Sequence, residues 1–113
     1  MTKSKTNGGT KYDTGKLRFD LVPSEALEAV VEVWTYGANK YADRDWEKGL
    51  AWGRIFAALM RHMWAFWRGE SLDEESGLPH LAHAAWCTLA LLQYYLMKIG
   101  TDDRPGTVRI GSA

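Results

Sequence analysis

The chain has 113 residues, 14 basic and 14 acidic side chains, and a formal net charge of zero. That length supports one domain with a real core rather than two, and the charge balance sets up no global field that draws nucleic acid or an anionic membrane. The single Cys87 cannot form an internal disulfide, and the most apolar stretch, Leu81 to Met97, is interrupted by His83, Thr88 and Gln93, short of the roughly 20 clean residues of a spanning helix.

Residues 1–20 read as a mobile polar arm. The opening MTKSKTNGGTKYD has no apolar core for a signal peptide, so the expectation is a cytoplasmic protein. GGTKYDTGK is not a phosphate-binding P-loop: Thr10 replaces the first glycine, Leu17 follows Lys16 where Ser or Thr belongs, and no apolar strand precedes it. Lys11, Lys16 and Arg18 belong either to a solvated tail or to an arm that touches phosphate.

A helical domain is expected over 21–100. Its first helix starts near Pro23–Ser24 and runs to about Tyr41, with Leu27, Val30, Val31, Trp34, Ala38 and Tyr41 on one apolar face. A loop containing Asp43, Asp45, Trp46 and Gly49 follows. The second helix covers about Ala51 to Arg68, with Ile55, Leu59, Met63 and Phe66 as its inner stripe. An acidic connection, GESLDEESGLP, leads through Pro79 into a third helix ending near Ile99. Residues 101–113 read as a frayed tail.

The fold class is therefore all-α, a small bundle of three main helices with no strand. The third helix is apolar nearly all round, so a homodimer or higher homo-oligomer is expected to complete the core. Six tryptophans supply large contact areas, some of them available to a partner or a planar ligand.

Chemistry concentrates at one end. Glu28, Glu32, His62 and His83 fall within a slab on the order of 10 Å deep in an up-down-up bundle, at about 1.5 Å per helical residue. Asp73, Glu74 and Glu75 overhang that end. His62 lies inside an apolar stripe, where an imidazole needs a partner, either a core carbonyl or carboxylate or a metal. His80 and His83 share a helix face. Glu25, Glu28 and Glu32 form a row nearly opposite the Leu27–Val31–Trp34 face, so they are either a solvated face or the border of a cleft or second subunit. Arg54, Arg61 and Arg68 recur along one flank of helix two, as an ordinary charged flank or a phosphate clamp. No Ser or Cys has a credible base and orienter, and no zinc ribbon, HExxH or CxxC occurs.

The segments KYDTGKLRFDLVP, EALEAVVEVWTYGANKYADRDWEKGL, LMRHMWAFWRGE and SGLPHLAHAAW resemble the phage-associated dATP/dGTP diphosphohydrolase N-terminal domain family over residues 9 to 95. The motifs that carry the resemblance are GxxKYxxRxWxxG, RH and HLAHAxW. The family is related to the MazG-like all-α nucleotide pyrophosphohydrolases. The resemblance implies hydrolysis of a purine deoxynucleoside triphosphate to monophosphate and pyrophosphate with Mg²⁺ or Mn²⁺, in a bacterial host or phage-infected cell. The wider MazG-like pattern pairs ExxE with ExxD. Glu25 and Glu28 satisfy the first, but the only ExxD, Glu70–Asp73, falls in a loop while the third helix carries HxxH.

Together these readings assign one or two divalent ions to Glu28, Glu32, His80 and His83. Glu32 and His62 are the catalytic candidates, and Lys40, Asp45, Trp46, Arg54 and Arg61 the substrate-binding ones. Mixed imidazole–carboxylate ligation would tilt the preference from Mg²⁺ towards Mn²⁺ or other transition metals. The competing expectation is a non-catalytic helical protein-binding module of phage or prophage origin, with structural histidines and solvated glutamates. Membrane and nucleic acid are not expected partners.

Overall fold

The computed structural model describes residues 3–6, 9–12 and 14–106. Two short strands, β1 (Lys3–Thr6) and β2 (Gly9–Tyr12), pair antiparallel with Lys3 opposite Tyr12 and Thr6 opposite Gly9. The expected polar arm thus carries a ribbon where no strand was foreseen. The residues between the strands are Asn7 and Gly8, the pair that most favours a two-residue hairpin turn, and that signal was passed over. Lys11's side chain lies outside the described residues, while the Arg18 guanidinium grips Asp20 with two bonds of 2.8 Å.

Three helices make the body: α1 (Ser24–Lys40), α2 (Trp52–Trp67) and α3 (His80–Met97). Their bounds match the sequence expectation to within about two residues. Among the described residues the body is all-α, with single helical turns at Phe19–Leu21 and Asp45–Lys48 in the connections. Helix α3 lies in the middle, packed along α2 and, over a shorter length, against α1.

The core gathers where the start of α2 meets the second half of α3. Ile55, Cys87, Ala90 and Tyr94 are buried, with Trp46, Trp52, Leu59 and Trp86 packed around them. The fully buried Tyr94 satisfies its hydroxyl by donating to the Trp46 carbonyl. Burial pushes the Cys87 thiol up to about 11, so it is an inert packing group. At the far end of α3 the chain turns back past Leu50: Thr101 N–H donates to the Leu50 carbonyl at 3.2 Å and Trp52 N–H to Thr101 at 2.9 Å. Gly100, at φ +78°, makes this crossing possible, since a Cβ there would sit 2.3 Å from the Leu50 oxygen. Asp103 then caps α2 by accepting the Gly53 N–H at 2.8 Å. The rest of the expected frayed tail, residues 107–113, lies outside the described residues.

The apolar faces need a correction. On α1 the buried positions are Val30 and Val33, whereas Leu27, Val31 and Tyr41 are 48%, 49% and 67% exposed. On α2 Ile55 is buried but Met63 and Phe66 are 42% and 37% exposed. A helix with one principal neighbour buries a narrow seam rather than a full stripe. Phe56, Trp64 and Trp67 on α2 and Leu92, Tyr95 and Leu96 on α3 are also exposed in the single chain. No helix is long and apolar enough to cross a membrane among the described residues.

Candidate functional site

The three histidines meet where α2 ends and α3 begins. Their meeting is arranged by the acidic connection, which folds back on itself: Leu72 bridges Pro79, Asp73 N–H donates to the Leu78 carbonyl and Gly77 N–H to the Asp73 carbonyl, both at 2.8 Å, and His80 N–H donates to Ser71 at 3.0 Å. Gly69, at φ +102°, makes the turn out of α2. This closed loop sets Glu70, Asp73 and Ser76 against the imidazoles.

His80 is buried, with only 5% of its surface exposed. Its Nε2 stands 2.6 Å from Glu70 Oε1 and its Nδ1 stands 2.9 Å from His62 Nδ1. A carboxylate only accepts, so His80 donates through Nε2. Its Nδ1 is then the acceptor, and His62 donates through Nδ1. The remaining lone pair of His62 is on Nε2, on a ring that lines the cleft described below. His83 stacks on His62 with ring centroids 4.6 Å apart and planes 9° from parallel, and its Nε2 is 2.7 Å from Ser76 Oγ.

Asp73 holds the other side. Its Oδ2 accepts the Ser76 N–H at 2.9 Å and the Ser76 hydroxyl at 3.0 Å, and lies 3.9 Å from His83 Nε2. Burial alone would raise this carboxyl, but the Ser76 bonds and the neighbouring imidazoles outweigh it and hold the group below the usual range. Burial, reinforced by the other imidazoles, depresses His62. It also depresses His83, against the pull of Asp73. These two rings therefore stay neutral, with lone pairs to offer, at neutral pH. Outside them, Glu75 accepts from the Tyr36 hydroxyl at 2.7 Å and from the Lys40 ammonium, tying the acidic loop to α1.

The ligating atoms of His62, Asp73 and His80 all fall within 4.8 Å of one another. Two imidazoles and one carboxylate, backed by Glu70 on the far nitrogen of His80, are a donor set that fits a divalent transition metal better than Mg²⁺. Beside the cluster a cleft of about 1060 Å³ runs between α1, the 41–50 loop, α2 and α3. Arg54, Ala58 and His62 line it from α2 at successive helical turns, and His83 and Trp86 line it from α3. Trp34, Trp46 and Trp86 also line it and form a triangle with ring centroids 5.8 to 6.3 Å apart.

Of the expected site residues, His62, His80 and His83 come together, and Asp45, Trp46 and Arg54 line the cleft. Lys40 does not line it; its ammonium is engaged by Glu75. Arg61 is exposed, next to His62 in sequence but off the cleft wall. Glu28 and Glu32 do not join the histidines within the chain. Both are exposed, and each lies about 200° around the helix from Val30, the residue that seats α1 on α3. Sequence reasoning left Glu70, Ser76 and Tyr36 out of the site and gave Asp73 only a place above it. The Glu70–Asp73 spacing was the available signal, discounted because it falls in a loop.

A family model described as dATP/dGTP diphosphohydrolase, N-terminal, matches residues 6–104. A protein of Salmonella phage PMBT28 named dATP/dGTP diphosphohydrolase is 32% identical over 96 residues, which cover 85% of this chain and 33% of the relative. The chain thus spans about a third of the length of the curated relative it matches. No solved structure gives a significant match.

Proposed function

The chain belongs to the dATP/dGTP diphosphohydrolase N-terminal family, and on that premise we propose that it hydrolyses a purine deoxynucleoside triphosphate to the monophosphate and pyrophosphate. The observation that carries this reading is a histidine–carboxylate cluster that borders a tryptophan-lined cleft through His62 and His83. Water adds to the α-phosphorus, the bond to the bridging oxygen breaks, and pyrophosphate leaves with the bond's electrons.

His62, Asp73 and His80 would hold a divalent ion, Mn²⁺ in preference to Mg²⁺ on the chemistry of the donors. An ion held there would supply Lewis-acid polarisation of a phosphoryl oxygen and a lowered pKa for bound water. Glu70 fixes the His80 tautomer through Nε2, so that Nδ1 faces the cluster. Ser76 anchors the Asp73 carboxylate in its charged form. Arg54, two turns before His62 on the cleft wall, holds polyphosphate oxygens with paired N–H donors. The exposed apolar faces of α2 and α3 suit a second copy of the chain, so the working form is a homodimer or larger homo-oligomer.

Trp67, 78% exposed, favours a second reading in which the chain is a non-catalytic docking module of phage origin. Pyrophosphate release from the four deoxynucleoside triphosphates with Mg²⁺ or Mn²⁺, beside an Asp73→Asn variant, separates the two. The enzyme reading expects metal-dependent, purine-favouring release that falls by about 100-fold or more in the variant. Folded protein that releases nothing under any condition returns the docking module.

A further inference from the structure

Gly37 stands in the last turn of α1, still inside the helix, where glycine weakens it relative to alanine. Its φ is not positive, so no turn requires it, and beyond the adjoining helix backbone and its two chain neighbours a Cβ placed there would meet no atom within 4 Å. Neither backbone conformation nor internal packing accounts for this residue. It does line the cleft, one turn along α1 from Trp34.

We propose that the cleft receives the purine ring of the substrate against helix α1 at Gly37, whose missing side chain leaves room for the ring beside Trp34, Trp46 and Trp86. This rests on the nucleotide reading above and names the base subsite within it. Three indole rings with centroids no more than 6.3 Å apart give π-faces and edges suited to a planar heterocycle. The two-ring face of a purine covers more of that floor than a pyrimidine does. Placement agrees with the chemistry. Trp86 and His83 share a face of α3 one turn apart, about 4.5 Å along the axis. A base held at the Trp86 level therefore directs its sugar and phosphates along the cleft towards His83 and His62.

The test uses Gly37→Ala and the bulkier Gly37→Leu, both better helix formers than the glycine they replace. Binding of non-hydrolysable α,β-methylene analogues of dGTP and dATP, and of inorganic tripolyphosphate, is followed by calorimetry in Mn²⁺, with melting temperature and oligomeric state recorded for each variant. The expected result is a melting temperature equal to or above wild type. Purine nucleotide binding should weaken at least ~10-fold in Gly37→Ala and more in Gly37→Leu, with tripolyphosphate binding unchanged, because only the base meets the added side chain. Nucleotide affinity equal to wild type in both variants overturns the proposal. So does an equal loss of tripolyphosphate, or a change of oligomeric state with nucleotide affinity intact, which would make Gly37 a contact between copies. Wild-type protein that hydrolyses purine nucleotides while Gly37→Leu binds them normally would sink the base subsite alone. Wild-type protein that binds no nucleotide would sink the subsite together with the reading beneath it.

Discussion

The two halves of α3 face the same neighbouring helix and do opposite things with it. From its middle onward Cys87, Ala90 and Tyr94 close a dry core around Ile55, and the buried Tyr94 hydroxyl spends its proton on a backbone carbonyl. In the first half His80 and His83 meet His62 across the same interface, and a loop of carboxylates and a serine covers them. The same α2–α3 seam is therefore a dry core at one end and a polar, hydrogen-bonded site at the other. Stability is concentrated in the first region and chemistry in the second, and substitutions should separate the two.

The largest separation is expected from Tyr94→Ala. Removing a fully buried aromatic ring leaves a cavity and should cost about 3–5 kcal/mol, enough to unfold much of a domain this size. Chemical denaturation measures it, and a loss below about 1 kcal/mol would mean that the core is not where the burial places it. Glu70→Ala probes the other end. The Glu70 carboxylate is largely exposed, so the fold should survive, while divalent-ion affinity falls roughly 10–100-fold as His80 loses its orienting partner. A Co²⁺ titration followed by visible absorption reads this directly, and wild-type affinity in the variant would remove Glu70 from the site.

Acid should loosen the histidine end before the core. His62 and His83 are held below their ordinary value of 6.5 in the folded chain, so the unfolded chain binds protons more readily around that pH. Their contribution is complete above the unfolded value and is lost as pH falls through the depressed folded values. Urea midpoints should drop between about pH 7.5 and pH 5, and hydrogen exchange should quicken first in the 69–83 segment. Asp73, depressed below 3.8, adds its own loss only under stronger acid. A midpoint that rises on acidification would reverse the assigned direction. The smallest effect belongs to Glu28→Gln and Glu32→Gln, which should change stability by no more than about 0.5 kcal/mol and leave ion affinity untouched.

Much of this contrast was legible in the sequence, and for a reason. Helix bounds follow from apolar periodicity and from Pro23 and Pro79, which are local signals, and they hold within a residue or two. The convergence of His62, His80 and His83 followed from helix lengths and an up-down topology. What stayed open was rotation, since the sequence allowed the glutamate row either a solvated face or the border of a cleft or second subunit. The Glu28–Glu32 row matched the histidines in height, but the angle of α1 is set by which valines seat on α3, a long-range packing choice that periodicity alone leaves open. Glu70 and Ser76 were hidden because a loop's fold-back depends on backbone bonds such as Asp73 to Leu78, which no spacing rule encodes. Among the described residues, the ribbon at 3–12 was the opposite case, a strong local signal overlooked.

The central claim is that the chemistry sits at the histidine–aspartate cluster, and diffraction from crystals soaked in Mn²⁺ tests it most directly. The expected result is an anomalous peak within about 2–2.3 Å of ligating atoms of His62, Asp73 and His80, with Glu70 still bonded to the outer nitrogen of His80. An ion held instead by Glu28 and Glu32, or a cluster that stays empty while active enzyme loads Mn²⁺ elsewhere, would contradict it.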